Sequence, residues 1–275
     1  MSYEQFYNLR EQPFSSAPDI RFFFESDQHA EAMVRLMHAI DTMKGLTVML
    51  GDSGTGKTLL AWKVNEKLFA QPELYKSALM VIVHGEVTAD WFLRKVATQF
   101  EIEKPGDDKK TLIGQLYEKL LSFHQEGKRA VVIVDEANMI QAKTMFEEFR
   151  GLLNFEEPGK KLLSIVLIGL PDLEKNMAVD PPLVQRIAIR FNLKYLTMPS
   201  TGAYIRHRLK IADGRDDLFT EESLVEIFQF SRGIPRLINT LCDNALLEGY
   251  LTRKSALNAD TIRTVAADLG LKKGD

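Results

Sequence analysis

The stretch Gly51-Asp52-Ser53-Gly54-Thr55-Gly56-Lys57-Thr58 constrains this chain more than any other. It has the form G-x-x-x-x-G-K-[ST], a glycine-rich turn that presents backbone N–H groups to phosphate oxygens. Such a turn works between a strand and a helix. Here the apolar run Leu46 to Leu50 precedes it and the helix-like run Leu59 to Phe69 follows. Glycines let the backbone approach the phosphates, and the helix adds its positive N-terminal end. Gly51, Asp52, Ser53, Gly54, Thr55, Gly56, Lys57 and Thr58 are therefore the expected nucleotide-binding residues. Lys57 is suited to reach the β- and γ-phosphates of ATP, and Thr58 to offer a hydroxyl to Mg²⁺.

A second stretch completes the chemistry. Ala130-Val131-Val132-Ile133-Val134-Asp135-Glu136 is an aliphatic run with two acids at its C-terminal end. In open α/β sheets, ligands bind outside the carboxyl ends of the strands. Asp135 reads as a metal residue, holding Mg²⁺ directly or through water. Glu136 reads as the catalytic residue that orients or deprotonates the attacking water.

Further apolar runs at 78–83, 162–168 and 187–196 read as strands, with helices expected near 88–101, 109–126 and 141–155. Alternating strands and helices predict a parallel sheet with helices on both faces. After Pro199-Ser200 the character changes. Residues 201–275 hold no strand pattern, and helical periodicity runs over about 201–212, 220–231, 235–250 and 259–269. The expected division is an α/β nucleotide-binding core over 1–197 and a small all-helical domain over 198–275. Residues 1–30 are aromatic and broken by prolines, too apolar for a disordered tail, and read as an extended arm packed on the core.

Composition excludes some functions. The chain has 275 residues, 45% hydrophobic, with a net charge of −3, so no global basic balance points to nucleic acid. DNA contact would need local clusters such as Arg206-His207-Arg208 with Lys210, or Lys160-Lys161. Arg206, His207 and Lys210 read better as the wet face of a helix, with Arg208 turned inward. A single cysteine, Cys242, rules out an intrachain disulfide and fits a reducing, cytoplasmic home. No apolar run is long enough to cross a bilayer, and the N-terminus lacks signal-peptide features. Direct membrane insertion is not expected. His29 and His38 have no second ligand pair, so packing or surface roles are expected.

Taken together, the phosphate loop, the Asp135-Glu136 strand end, the arginines at 186 and 190 and the helical C-terminal region resemble the AAA+ ATPases. More narrowly, three stretches resemble the general secretion pathway protein A (ExeA-type) family. They are Asn8 to Phe14 with Pro18-Asp19 and Phe22-Phe23-Phe24; Asp135-Glu136-Ala137-Asn138 with Phe149 to Phe155; and Gly233-Ile234-Pro235-Arg236-Leu237-Ile238-Asn239. The resemblance implies a P-loop AAA+ core with a helical lid, and ATP and Mg²⁺ as cofactors. It also implies a nucleotide-dependent homo-oligomer, with a hexamer one form this could take. Arg236 would be a lid arginine sensing the γ-phosphate within its own subunit. Arg186 would be a finger reaching a neighbour's nucleotide, with Arg190 the runner-up. An arginine fork suits a developing phosphate charge in either role.

Two positions depart from the family pattern. Asn138 stands where glutamine is usual, and Leu170 stands where the family has Gly-Gln-Pro. A leucine side chain cannot donate a hydrogen bond to phosphate, so slow hydrolysis, or a nucleotide-binding scaffold that turns over little, is one expectation. The resemblance favours an ATP-hydrolysing assembly factor for an envelope machine such as a secretion, pilus or exopolysaccharide system. The alternative it offers is an ATP-dependent DNA-binding regulator resembling transposition helper ATPases.

Overall fold

The structure is a computed structural model that describes residues 2–273, which divide into two compact units. One comprises Gln28–Ser53 and Leu60–Leu193. The other runs from the described N-terminus to Asp27, takes in Gly54–Leu59, and resumes from Lys194 to the described C-terminus.

The first unit is built on strands β1 (Leu46–Gly51), β2 (Tyr75–Val81), β3 (Arg129–Asp135), β6 (Leu163–Gly169) and β7 (Ile187–Leu193). They form one sheet in the order β2-β3-β6-β1-β7, every pair parallel. β1, β3 and β6 are central and buried on both faces, which is why they read as unbroken aliphatic runs. β7 lies at the edge and alternates in burial. A two-residue ladder, β4 (Glu156–Glu157) with β5 (Lys160–Lys161), forms a small antiparallel hairpin ahead of β6.

The crossovers are helical. They are α3 (Lys57–Phe69), α4 (Ala89–Gln99), α5 (Lys109–Gln125), α6 (Lys143–Leu152), α7 (Asp172–Met177) and α8 (Pro181–Val184), and α2 (Asp27–Asp41) leads into β1. Thr88 and Asp108 cap α4 and α5 through their side chains. The helices bury phenylalanines against the sheet. Phe92 and Phe149 meet edge-to-face at 5.0 Å, and Phe100 and Phe123 at 5.6 Å. α7 has no counterpart in the sequence reading, because six residues carry less than two turns of periodicity.

The second unit contains α9 (Met198–Ile211), α10 (Glu221–Ser231), α11 (Pro235–Leu251) and α12 (Ala259–Asp268) around its own apolar core. α9 starts ahead of the Pro199-Ser200 pair rather than after it. Pro199 sits in the first turn, where its missing N–H costs nothing, and Thr197 caps Ser200 N–H. The N-terminal residues belong to this unit. They carry a short helix α1 (Tyr3–Tyr7) and a 3₁₀ turn at Ile20–Phe22, where extended chain was expected.

Arg208 anchors that arm. It is 4% exposed and donates to Pro13 O at 2.5 Å, Tyr204 Oη at 2.8 Å and Ser15 O at 3.4 Å. Its guanidinium also lies over the Phe22 ring at 4.8 Å. Tyr7 Oη donates to Lys254 O at 3.0 Å, and Tyr3 Oη to Asp243 at 2.6 Å. A buried cation hydrogen-bonded to neutral oxygens, with the Asp19 carboxylate near enough to feel its charge, is strongly position-dependent, whereas half-buried Arg206 pairs with exposed Glu221. We expect Arg208→Ala to cost about 2–4 kcal/mol in urea unfolding. Arg206→Ala in the same helix should cost no more than about 1 kcal/mol.

Candidate active site

The register of the sheet assembles the site. Leu50 pairs with Gly169, and Val134 with Leu167, so the C-terminal ends of β1, β6 and β3 share one edge. β1 delivers Gly51 into the glycine-rich loop, and β3 delivers Asp135 and Glu136 two strands away, about 10 Å at ordinary strand spacing. The loop then enters α3 at Lys57, so Lys57 and Thr58 occupy the first turn of a helix, as anion binding requires.

Within the loop, Asp52 and Ser53 are exposed, whereas Thr55 and Lys57 are 1% and 5% exposed. Gly54 and Gly56 have φ of 80° and 94°, which only glycine adopts freely. Gly54 also belongs to the same compact unit as Arg236, and a Cβ there would lie 3.1 Å from Arg236 Cβ and 3.0 Å from Ile234 Cγ2. The start of α11 therefore packs on the loop's own backbone. Arg236, in the first turn of that helix, keeps an exposed side chain.

Asp135 is fully buried and accepts from Glu136 N–H through Oδ1 at 3.0 Å. Glu136 itself is half-buried and left-handed, with φ of 54°. A non-glycine residue in that conformation carries local strain and needs support from its surroundings.

Asn138 and Asn176 supply that support. Asn138 lies in the 3₁₀ turn Ala137–Met139 that follows Glu136, and its Oδ1 accepts from Leu170 N–H at 2.9 Å. Asn176 of α7 donates through Nδ2 to Asn138 O at 2.9 Å and to Ile140 O at 3.0 Å. Gly169 allows the close approach, since a Cβ there would come within 2.7 Å of Asn138 Oδ1. The two positions that depart from the family pattern thus meet. Leu170 acts through its backbone, and the shorter Asn138 side chain reaches it. Asn176 was missed in the sequence because its partners are carbonyls 36 and 38 residues away. An asparagine seven residues beyond a strand end carries no local signal for that contact.

The finger candidates stand differently. Arg190 pairs with Glu174 at 2.9 Å. Arg186 is half-buried and donates to Arg150 O at 3.4 Å, while Arg150 pairs with buried Asp180 at 3.1 Å. Arg186 therefore sits on a prepared platform with no ion pair within 4.0 Å among the described residues, although the Glu156 carboxylate feels its charge. The cluster at 206–210 does not form a free basic patch. Arg208 is buried, Arg206 is paired, and burial holds His207 below the usual imidazole range, hence neutral at pH 7.

Comparison with known proteins agrees with this geometry. The AAA domain family matches residues 40–177, half of the chain. General secretion pathway protein A of Aeromonas hydrophila is 34% identical over 252 residues, covering 90% of this chain and 45% of that protein. The chain therefore spans less than half the length of that relative. Among solved structures, the Aeropyrum pernix ORC2 protein aligns with a TM-score of 0.70 at 15% identity, over 96% of this chain and 73% of that one. The RuvB Holliday junction branch migration motor of Thermotoga maritima aligns at 0.57 and 15% identity, over 89% and 69%. These two speak for the fold alone. The chain belongs to the AAA domain family of ATPases, and its kinship within that family is with general secretion pathway protein A. No helix among the described residues is long and apolar enough to cross a membrane.

If the asparagine network holds Glu136 in place, Asn176→Leu should lower steady-state phosphate release by about tenfold or more, because small misplacements of a reacting group are costly. Affinity for a fluorescent ATP analogue should stay within about twofold, since the change leaves the loop intact. Unchanged turnover would remove Asn176 from this role.

Proposed function

We propose that the protein is a Mg²⁺-dependent ATPase that oligomerises with nucleotide and drives or regulates assembly of an envelope machine from the cytoplasmic side. One observation carries the catalytic part of this reading: Asp135 and Glu136 stand at the same sheet edge as the strand that feeds the phosphate loop. The donors fit a hard cation, a threonine hydroxyl and a carboxylate, so Thr58 and Asp135 would hold Mg²⁺. The ion would neutralise charge on the β- and γ-phosphates when bound.

The chain's own residues do the rest. The loop amides from Gly51 to Thr58 bind the phosphates, and Lys57 adds a fixed positive charge. Glu136 accepts a proton from, or orients, the water that attacks the γ-phosphorus, and the bond to the β–γ bridging oxygen breaks. Arg236 stabilises the charge that develops within one subunit. Arg186 does so from a neighbour, which makes the site incomplete in a monomer. Residues 198–275 act as the lid of a nucleotide-binding core that ends at 197, and the N-terminal arm goes with the lid's unit. A lid packed on the loop backbone at Gly54 has a direct means of responding to the nucleotide. The assembly role rests on the kinship with general secretion pathway protein A.

Glu136→Gln should bind ATP as wild type does and release phosphate at least about 100-fold more slowly, the usual loss on removing a general base. Wild-type turnover in that variant would reassign the base. Arg186→Ala should also bind normally and lose turnover, and a small amount of Glu136→Gln protein, which retains Arg186, should restore it. Arg190→Ala should change neither quantity by more than about threefold, as expected of an exposed surface pair.

A further inference from the structure

The opposite end of the same sheet carries a second cleft, of about 770 Å³, framed by the turns that lead into β1 and β3 and by the β4–β5 hairpin. It brings together residues far apart in sequence. Lys44, Lys128, Arg129, Lys160 and Lys161 line it, against the carboxylates of Asp41 and Glu156. In a chain of net charge −3, this is a local reversal of sign.

The cleft is built and not a chance gathering of surface charge. Arg129 Nε donates to Asp41 O at 3.0 Å, and the guanidinium lies 5.7 Å from the centre of the Tyr75 ring. The stem of Lys161 crosses Gly45 so closely that a Cβ there would meet its Cδ at 2.9 Å. Lys161 is bound to Glu156, and Lys128 pairs with Glu126 at 2.8 Å.

Helix capping does not account for the remaining lysines. α2 and α5 both end here, and lysines often serve the last carbonyls of helices. Those carbonyls already have backbone partners. Lys44 N–H bonds Ala39 O at 2.9 Å and Met43 N–H bonds Ile40 O at 3.1 Å; Lys128 N–H bonds Phe123 O at 2.8 Å and Gly127 N–H bonds His124 O at 3.0 Å. Left-handed Met43 and Gly127 close both caps in the Schellman pattern. The ammonium groups of Lys44 and Lys160 are exposed and have no ion-pair or hydrogen-bond partner among the described residues.

We propose that this cleft holds the phosphodiester backbone of a nucleic acid. Ammonium groups on flexible stems along an open polar groove suit a chain of phosphates, not a single bidentate anion. His124 brings one imidazole to the lining but no Phe, Tyr or Trp ring does, so base stacking has little to rest on and contact is chiefly with the backbone. A membrane surface fits less well. The apolar lining residues are Met43, which is half-buried, and Leu162, which is 2% exposed, so neither can anchor in lipid. The six residues of β1 separate this cleft from the phosphate loop by about 20 Å at ordinary strand rise, so nucleotide and nucleic acid can be held together.

The test is fluorescence anisotropy of a short labelled DNA duplex of arbitrary sequence, over a salt series, with uptake of a fluorescent ATP analogue read in parallel. Lys44→Glu/Lys160→Glu should weaken duplex binding at least about tenfold and flatten the log–log salt slope by about 2, with nucleotide uptake unchanged. Lys44→Arg/Lys160→Arg should bind as wild type does. Lys57→Ala should lose nucleotide and keep the duplex. The proposal is overturned if wild type does not bind the duplex at low salt, or if the charge-reversed variant binds it equally well. It is also overturned if that variant loses only its binding to phosphatidylserine vesicles.

Discussion

In-register parallel pairing of β1, β6 and β3 is the constraint on which the rest depends. The three strands are buried on both faces, so each is held by hydrogen bonds along its edges and by helices above and below. A slip of one residue would turn every side chain to the other face. The same slip would carry Asp135 and Glu136 away from the edge where Gly51 opens the loop. Placement of the two acids and core packing are thus one specification. The aliphatic side chains fix the register, and the register fixes where charge appears.

The strand ends also explain how two unusual residues are accommodated. Leu170 has no polar side chain, yet its backbone N–H is held by Asn138, one turn beyond Glu136. Asn176 closes the turn from the other side through two carbonyls. Glu136 stays in a left-handed conformation because hydrogen bonds on both sides over-determine the turn that follows it. Gly169 is part of the same arrangement, through the space it leaves for Asn138.

Much of this was legible in the sequence, and for identifiable reasons. The phosphate loop is local, and its glycines, lysine and flanking strand and helix all lie within two dozen residues. The central strands could be read because double burial makes them continuous aliphatic runs. Arg208 could be separated from Arg206 and His207 by helical spacing. Contacts between distant segments were not legible. Nothing near Asn176 announces carbonyl partners in another turn. Nothing in Lys160-Lys161 announces that Lys44 and Arg129 share its cleft. The aromatic N-terminus was recognisable as packed chain, but its attachment to the helical unit depends on Arg208 reaching Pro13 across 195 residues. Pro199 misled the placement of α9, because a proline that ends one helix can equally occupy the first turn of the next.

The central claim is that this loop and this strand end form a working hydrolytic site. The most direct test is steady-state phosphate release by the purified protein with ATP and Mg²⁺, using Lys57→Ala as the blank. The account predicts turnover that exceeds the blank by at least about tenfold and disappears when the metal is chelated. A wild-type rate equal to that of Lys57→Ala, in protein that takes up an ATP analogue, would contradict it and leave a nucleotide-binding scaffold in its place.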